Sequence, residues 1–224
     1  MNLDIKGQLV WEDSIEIFNQ LEEIEKEYKS ILDANSRVVY ENDMIEVEPL
    51  NVTILSNGGV SWILNAVYDK LMDIKSMGIE IITHAYGVCA SAGLCLFLAG
   101  DKRYAGEGTV FMYHAEQYAN IQDDINNVIE FAQFVKENDR FEKIFIENTN
   151  VTKEMLDEHK GRDWYFGYDF AMKIGLLTPI EVEEEKEYVI TESECIKVMR
   201  DAGYTVVTDE EFANMNKLTK EESI

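Results

Sequence analysis

A short apolar run, a glycine turn and a helical stripe follow one another repeatedly along this chain. That order restricts the fold more than any other feature. Leu50-Asn-Val-Thr-Ile-Leu-Ser56 runs into Gly58-Gly59, then into a pattern with Ile63, Val67, Leu71 and Ile74 at helical spacing, closed by Gly78. Ile79 to Ala85 is almost continuously apolar, turns at Gly87 and gives way to a small-residue helix from Ser91 to Ala99. Thr109 to Tyr113 reads as a further strand. Strands and helices alternating in this way predict an α/β fold with mainly parallel strands and right-handed crossovers. The unbroken run at 79–85 predicts a sheet covered on both faces.

The remaining segments fit around this centre. Gly7 to Trp11 ends a first strand, and a helix capped by Asp13, with Glu16 completing a capping box, buries Ile17, Leu21, Ile24, Tyr28 and Ile31. Residues 33–47 are polar and aperiodic and read as a surface insertion with at most a short strand, Arg37 to Tyr40. A long helix is expected from about Ile121 to Phe145, a short one capped by Thr152 and ending near Gly161, and another from Asp169 to Ile174, closed by Gly175. Glu181-Val-Glu-Glu-Glu-Lys-Glu is an acidic run. The organisation expected is one domain over 1–180 and an acidic appendage over 181–224.

A formal charge of −24 over 224 residues repels nucleic acid and anionic membrane surfaces, so neither is expected as a partner. The N-terminus has no apolar stretch of signal length, and runs such as Leu94 to Ala99 are too short to span a bilayer. Cys89, Cys95 and Cys195 are odd in number, which suits reduced thiols in a cytoplasm. Without a Cys-x-x-Cys or His-Glu-x-x-His pattern, no metal or cofactor is expected.

Three residues at the ends of strands or loops have the chemistry of a nucleophile, its base and the carboxylate that orients the base. They are Ser91 in Gly87-Val-Cys-Ala-Ser91-Ala-Gly93, His114 ending Val110-Phe-Met-Tyr-His114, and Asp163 in Gly161-Arg-Asp163-Trp. Ser56-Asn-Gly58-Gly59 follows a strand and is suited to present backbone N–H groups to an oxyanion. Taken singly, each has an ordinary alternative: a packing serine, a structural histidine, a turn aspartate, a tight turn. His84 reads as a packed core residue and His159 as a solvated one.

In this order the motifs resemble the ClpP family, the proteolytic subunits of the ATP-dependent Clp protease. The resemblance runs from about residue 4 to 180. It rests on Ser56-Asn-Gly58-Gly59, the Ser91 motif, the strand ending at His114, Arg162-Asp163, and Ala171-Met-Lys-Ile-Gly175-Leu176, with Ala99 to Arg103 between serine and histidine. It implies a crotonase-like spiral of β-β-α units with a long handle helix, and serine endopeptidase chemistry. Ser91 would be nucleophile, His114 base and Asp163 orienter, with the N–H groups of Gly59 and Ala92 as the oxyanion hole. It further implies polypeptide substrates, self-assembly into rings of six or seven subunits, and an AAA+ ATPase unfoldase as partner. Arg162 would couple ring contacts to the triad. The sequence itself shows no deep charged pocket, so apolar side chains are expected beside the cut, with Trp62 or Tyr113 as pocket walls.

The chain also departs from the family pattern. Asn57 replaces a proline, Ala92 a methionine, and Ala115-Glu-Gln-Tyr-Ala-Asn120 a glycine-rich strand. The chain starts almost at its first strand, where family members carry an axial loop, and the 33–47 insertion is unusual. By analogy, such divergence suggests a phage or prophage relative that processes capsid or scaffold proteins. The rival readings are a crotonase-type acyl-CoA enzyme and an inert shell subunit.

Overall fold

The computed structural model describes residues 1–115 and 140–180, with Lys197 and Arg200 beyond them. The chain divides into two compact units, Met1–Pro179 and Ile180–Ile224. The expected handle helix falls mainly outside the described residues, as does nearly all of the expected appendage.

Among the described residues the first unit has six strands: β1 (Asn2–Leu9), β2 (Leu50–Gly59), β3 (Ile81–Ala90), β4 (Lys102–Ala105), β5 (Val110–Tyr113) and β6 (Trp164–Phe166). Its helices are α1 (Trp11–Ser36), α2 (Ser61–Ser76), α3 (Ala92–Phe97), α4 (Arg140–Glu147), α5 (Lys153–Glu158) and α6 (Tyr168–Lys173). The sheet order is β1-β2-β3-β5-β6, parallel except for the antiparallel β5–β6 pair. β3 serves two neighbours in succession. Ile82 to Ala85 pairs with β4, and Val88 to Ala90 pairs with β5. Gly87, at φ +66°, bends the strand between the two pairings, so it redirects β3 rather than ending it.

Burial alternates along these strands. Leu3, Ile5, Val52, Ile54, Ile81, Thr83 and Ala85 are buried, whereas Asp4, Thr53, Ile82 and His84 are half-buried or exposed. Over β1, β2 and the first half of β3 the sheet is therefore packed on one face, so the two-sided cover expected for 79–85 is absent there, whereas Cys89, Ala90 and Phe111 to Tyr113 are buried in succession. His84 consequently lies on the outer face, half-buried, with Nε2 3.4 Å from Asn51 Oδ1 and its ring near Tyr104.

Local details differ from the sequence reading, beginning with β1, which ends at Leu9 rather than Trp11. α1 starts at Trp11 with Val10 at its N-cap and no side-chain cap bond, so Asp13 lies inside the first turn rather than capping it. Residues 37–40 form no strand. α1 continues to Ser36, and Asn35 ties the following loop by donating Nδ2–H to the Ile45 carbonyl and accepting the Ile45 N–H, both at 2.8 Å. One side chain thus supplies both hydrogen bonds that a neighbouring strand would otherwise make. By contrast, Thr152 caps α5 as expected, accepting the Met155 N–H.

Two polar side chains organise the core. Tyr28 is fully buried and donates its hydroxyl to the Glu48 carbonyl at 3.0 Å. Burial, then the charges of Glu27 and Glu48, push its phenol up to about 12. A raised folded-state value stabilises the fold fully below about pH 10, and that stability is lost as pH climbs towards 12. Chemical denaturation at rising pH should show Tyr28→Phe declining less steeply over that window than wild type. An equally steep decline would place the alkaline sensitivity elsewhere.

Arg103 faces carbonyl groups rather than a carboxylate. Its guanidinium donates to Leu176 O (2.7 Å), Gly100 O (3.2 Å), Asn148 O (3.0 Å) and Gly175 O (3.1 Å). These carbonyls lie just past the ends of α3, α4 and α6. A cation among helix C-termini is favourably placed, because unpaired carbonyls gather there.

Candidate active site

Ser91 stands between β3 and α3 with φ +50° and ψ −122°, the one non-glycine residue with positive φ among those described. The preceding strand is held by the bond from Ser91 N–H to Met112 O, and α3 begins with Cys95 N–H donating to Ser91 O. Strand and helix are thus both fixed, and the serine absorbs the reversal between them. Such a backbone costs about 1–3 kcal/mol and persists only where its surroundings impose it. Its effect is to lift Oγ clear of the sheet at the start of a helix.

His114 follows directly on β5, the neighbour of β3, and its Nε2 lies 2.7 Å from Ser91 Oγ. Asp163 immediately precedes β6, the neighbour of β5. Its Oδ1 lies 3.4 Å from His114 Nδ1, which makes no well-formed hydrogen bond. Asp163 Oδ2 accepts the Tyr165 hydroxyl at 3.2 Å. Asp163 and Tyr165 share the exposed side of β6, while Trp164 and Phe166 turn inward. The carboxylate raises the Tyr165 phenol above its ordinary value, first through its charge and then through the hydrogen bond. Three neighbouring strand ends thus bring together the three residues singled out in the sequence.

The glycine turn closes the site from the side of β2. A Cβ on Gly58 would lie 2.6 Å from Ser91 Cβ and 3.0 Å from Ala92 N, so only glycine lets the turn approach this closely. A Cβ on Gly59 would lie 2.2 Å from Leu9 O, on the opposite side of the turn. Ala92 is the first residue of α3, where a backbone N–H has no partner within its own helix. A cavity of about 170 Å³ opens here, lined by Asn57, Gly59, Ser61, Leu64 and Phe141 around Ser91, Ala92 and His114.

The other residues expected near the site lie elsewhere. Tyr113 is buried against Phe141 and Phe145, and Trp62 lines a separate apolar groove of about 340 Å³ with Trp11, Ile15 and Phe18. The apolar walls are Leu64 and Phe141 instead. Leu64 adjoins the core stripe of α2, and Phe141 is distant in sequence, so neither carries a signal at the level of motif. Arg162 donates to the Glu158 carbonyl at 2.7 Å and makes no bond to Asp163. His159, expected to be solvated, is half-buried, stacked on Trp164 at 4.3 Å and donating Nδ1–H to Met155 O. Among the described residues, no group of three or more His, Cys, Asp or Glu is placed to hold a metal ion, and no helix is long and apolar enough to cross a membrane.

Comparison with known proteins gives the family and the fold. The ATP-dependent Clp protease proteolytic subunit 2 of Pseudomonas aeruginosa is 28% identical over 145 residues, covering 63% of this chain and 70% of that protein. The corresponding subunit of Paracoccus denitrificans is 28% identical over 132 residues, 58% of this chain and 65% of the relative. That of Dehalococcoides mccartyi is 30% identical over 142 residues, 62% and 68% of the two chains. The chain therefore spans about two thirds of each relative's length. Among solved structures, a ClpP1 mutant from Listeria monocytogenes superposes with a TM-score of 0.60 at 21% identity, over 79% of this chain and 88% of that one, which establishes the shared fold. The Clp protease model matches residues 2–184, and the chain belongs to that family of serine peptidases.

Proposed function

We propose that this chain is a serine endopeptidase that cleaves extended polypeptides with Ser91 as nucleophile, His114 as general base and Asp163 as orienter. The observation that carries this reading is the 2.7 Å approach of His114 Nε2 to an Oγ held on a strained strand-to-helix turn. Ser91 passes its proton to Nε2 as Oγ attacks the peptide carbonyl. The oxyanion forms against the N–H groups of Gly59 and Ala92, and His114 returns the proton to the leaving amine. Water then repeats the sequence on the acyl-enzyme. As the imidazolium forms, its charge draws Asp163 in from 3.4 Å to hydrogen-bonding distance, since such contacts tighten in the reacting complex.

The cavity walls of Leu64 and Phe141 favour an apolar side chain beside the cleaved bond. The wider setting is a homo-oligomeric ring in a cytoplasm, fed with unfolded chains by an AAA+ ATPase or working alone on viral shell proteins. With a charge of −24 opposing association, added salt should strengthen assembly by screening repulsion.

The test is labelling by a fluorophosphonate probe together with peptide cleavage, on wild type and Ser91→Ala. Wild type should label and cleave, and the variant should do neither. Equal labelling of both would remove Ser91 from its role. A folded, assembled wild type that takes no label would be an inert shell subunit, and saturable acyl-CoA binding would point to crotonase chemistry.

A further inference from the structure

Ser56 is fully buried, and the cleavage steps above give it no task. Its Oγ accepts the Gly58 N–H at 3.1 Å, so that donor is turned into the protein rather than towards the cavity. Gly93, the residue after Ala92, lies close to Ser56. A Cβ on Gly93 would lie 3.0 Å from Ser56 Cβ and 3.1 Å from Ser56 O. One buried side chain therefore touches both backbone segments that carry the two oxyanion donors: the 57–59 turn and the first residues of α3.

We propose that Ser56 is a positioning residue of the oxyanion hole, setting the direction of the Gly59 N–H and its separation from the Ala92 N–H. This rests on the peptidase reading above. Two successive glycines leave a turn with several accessible conformations. The bond from Gly58 N–H to Ser56 Oγ selects one of them, in which the next N–H is left for the oxyanion. Contact with Gly93 fixes how close α3 comes to that turn. A donor aimed in advance stabilises developing charge without rearranging during the reaction. Without the hydroxyl, the Gly58 N–H seeks another acceptor, and the Gly59 donor turns with it.

The experiment measures kcat, KM and the affinity of a peptide boronate on the full chain. The tetrahedral boronate adduct on Ser91 places an oxygen in the hole. For Ser56→Ala, kcat should fall roughly 10- to 100-fold, as expected for a displaced rather than deleted donor, with KM changed less than about twofold. Boronate affinity should fall in parallel. Gly93→Ala, which pushes on Ser56 from α3, should show the same split. A purely structural role would lower thermal stability without separating kcat from KM. Wild-type kcat in Ser56→Ala, or a lower kcat with unchanged boronate affinity, would overturn the proposal. If Ser56→Ala does not fold, Gly93→Ala decides by the same two readouts. A wild type that neither cleaves nor binds boronate at Ser91 sinks the peptidase reading itself, and this inference with it.

Discussion

Replacing Ser91 by alanine will lower the rate of peptide cleavage by about 10⁴-fold or more, and His114→Ala will lower it as far. In the proposed mechanism the two act as one unit through the 2.7 Å contact, so the double variant should be scarcely slower than either single one. Asp163→Asn should cost less. Asp163 does not touch the reacting bond, stands 3.4 Å from the imidazole and has a carboxylate about 40% exposed. Water there takes over part of its electrostatic role. The check is single-turnover cleavage of a fluorogenic peptide by the three single variants and the double variant. Additive losses for Ser91 and His114, or a larger loss for Asp163 than for Ser91, would contradict the assignment of roles.

Arg103→Met will destabilise the first unit by about 3 kcal/mol or more, because its removal leaves several inward carbonyls without a donor. For a domain of this size, that corresponds to a melting midpoint lower by roughly 6–12 °C. Arg103→Lys should recover little, since an ammonium cannot reproduce a planar fork directed at several acceptors. Thermal melts of the three proteins at equal concentration give the answer. An unchanged midpoint in Arg103→Met would mean that water satisfies those carbonyls equally well. Burial lowers the pKa of the Arg103 guanidinium, yet leaves it charged at any ordinary pH, so the effect should not vary with buffer.

The parts of this fold that could be read from sequence are those with their own punctuation. β2 and α2 are announced by Gly58-Gly59 and Gly78, and α6 by Gly175. β4 and β6, four and three residues long, are too short for alternation to register in the sequence. The nearly continuous apolar run from Ile79 to Ala85 predicts a two-sided sheet. In three dimensions Ile82 turns outward and Ile81 inward, and burial follows the pleat rather than the composition. Ser91, His114 and Asp163 were legible because each lies at the break between elements. Leu64, Phe141 and the buried hydroxyl of Ser56 owe their places to packing between distant segments, which periodicity cannot reveal.

The positive φ of Ser91 has an evolutionary consequence. Glycine would adopt this backbone without the strain of about 1–3 kcal/mol, and only part of that gain would be offset by its greater freedom in the unfolded chain. With the role proposed for Ser91, selection for a durable fold and selection for cutting peptides pull this one position in opposite directions. In a lineage that kept the shell but gave up proteolysis, Ser91→Gly would be a mutation that drift and stability both favour. Decay of the enzyme would then begin at its proposed nucleophile, leaving the surrounding turn intact.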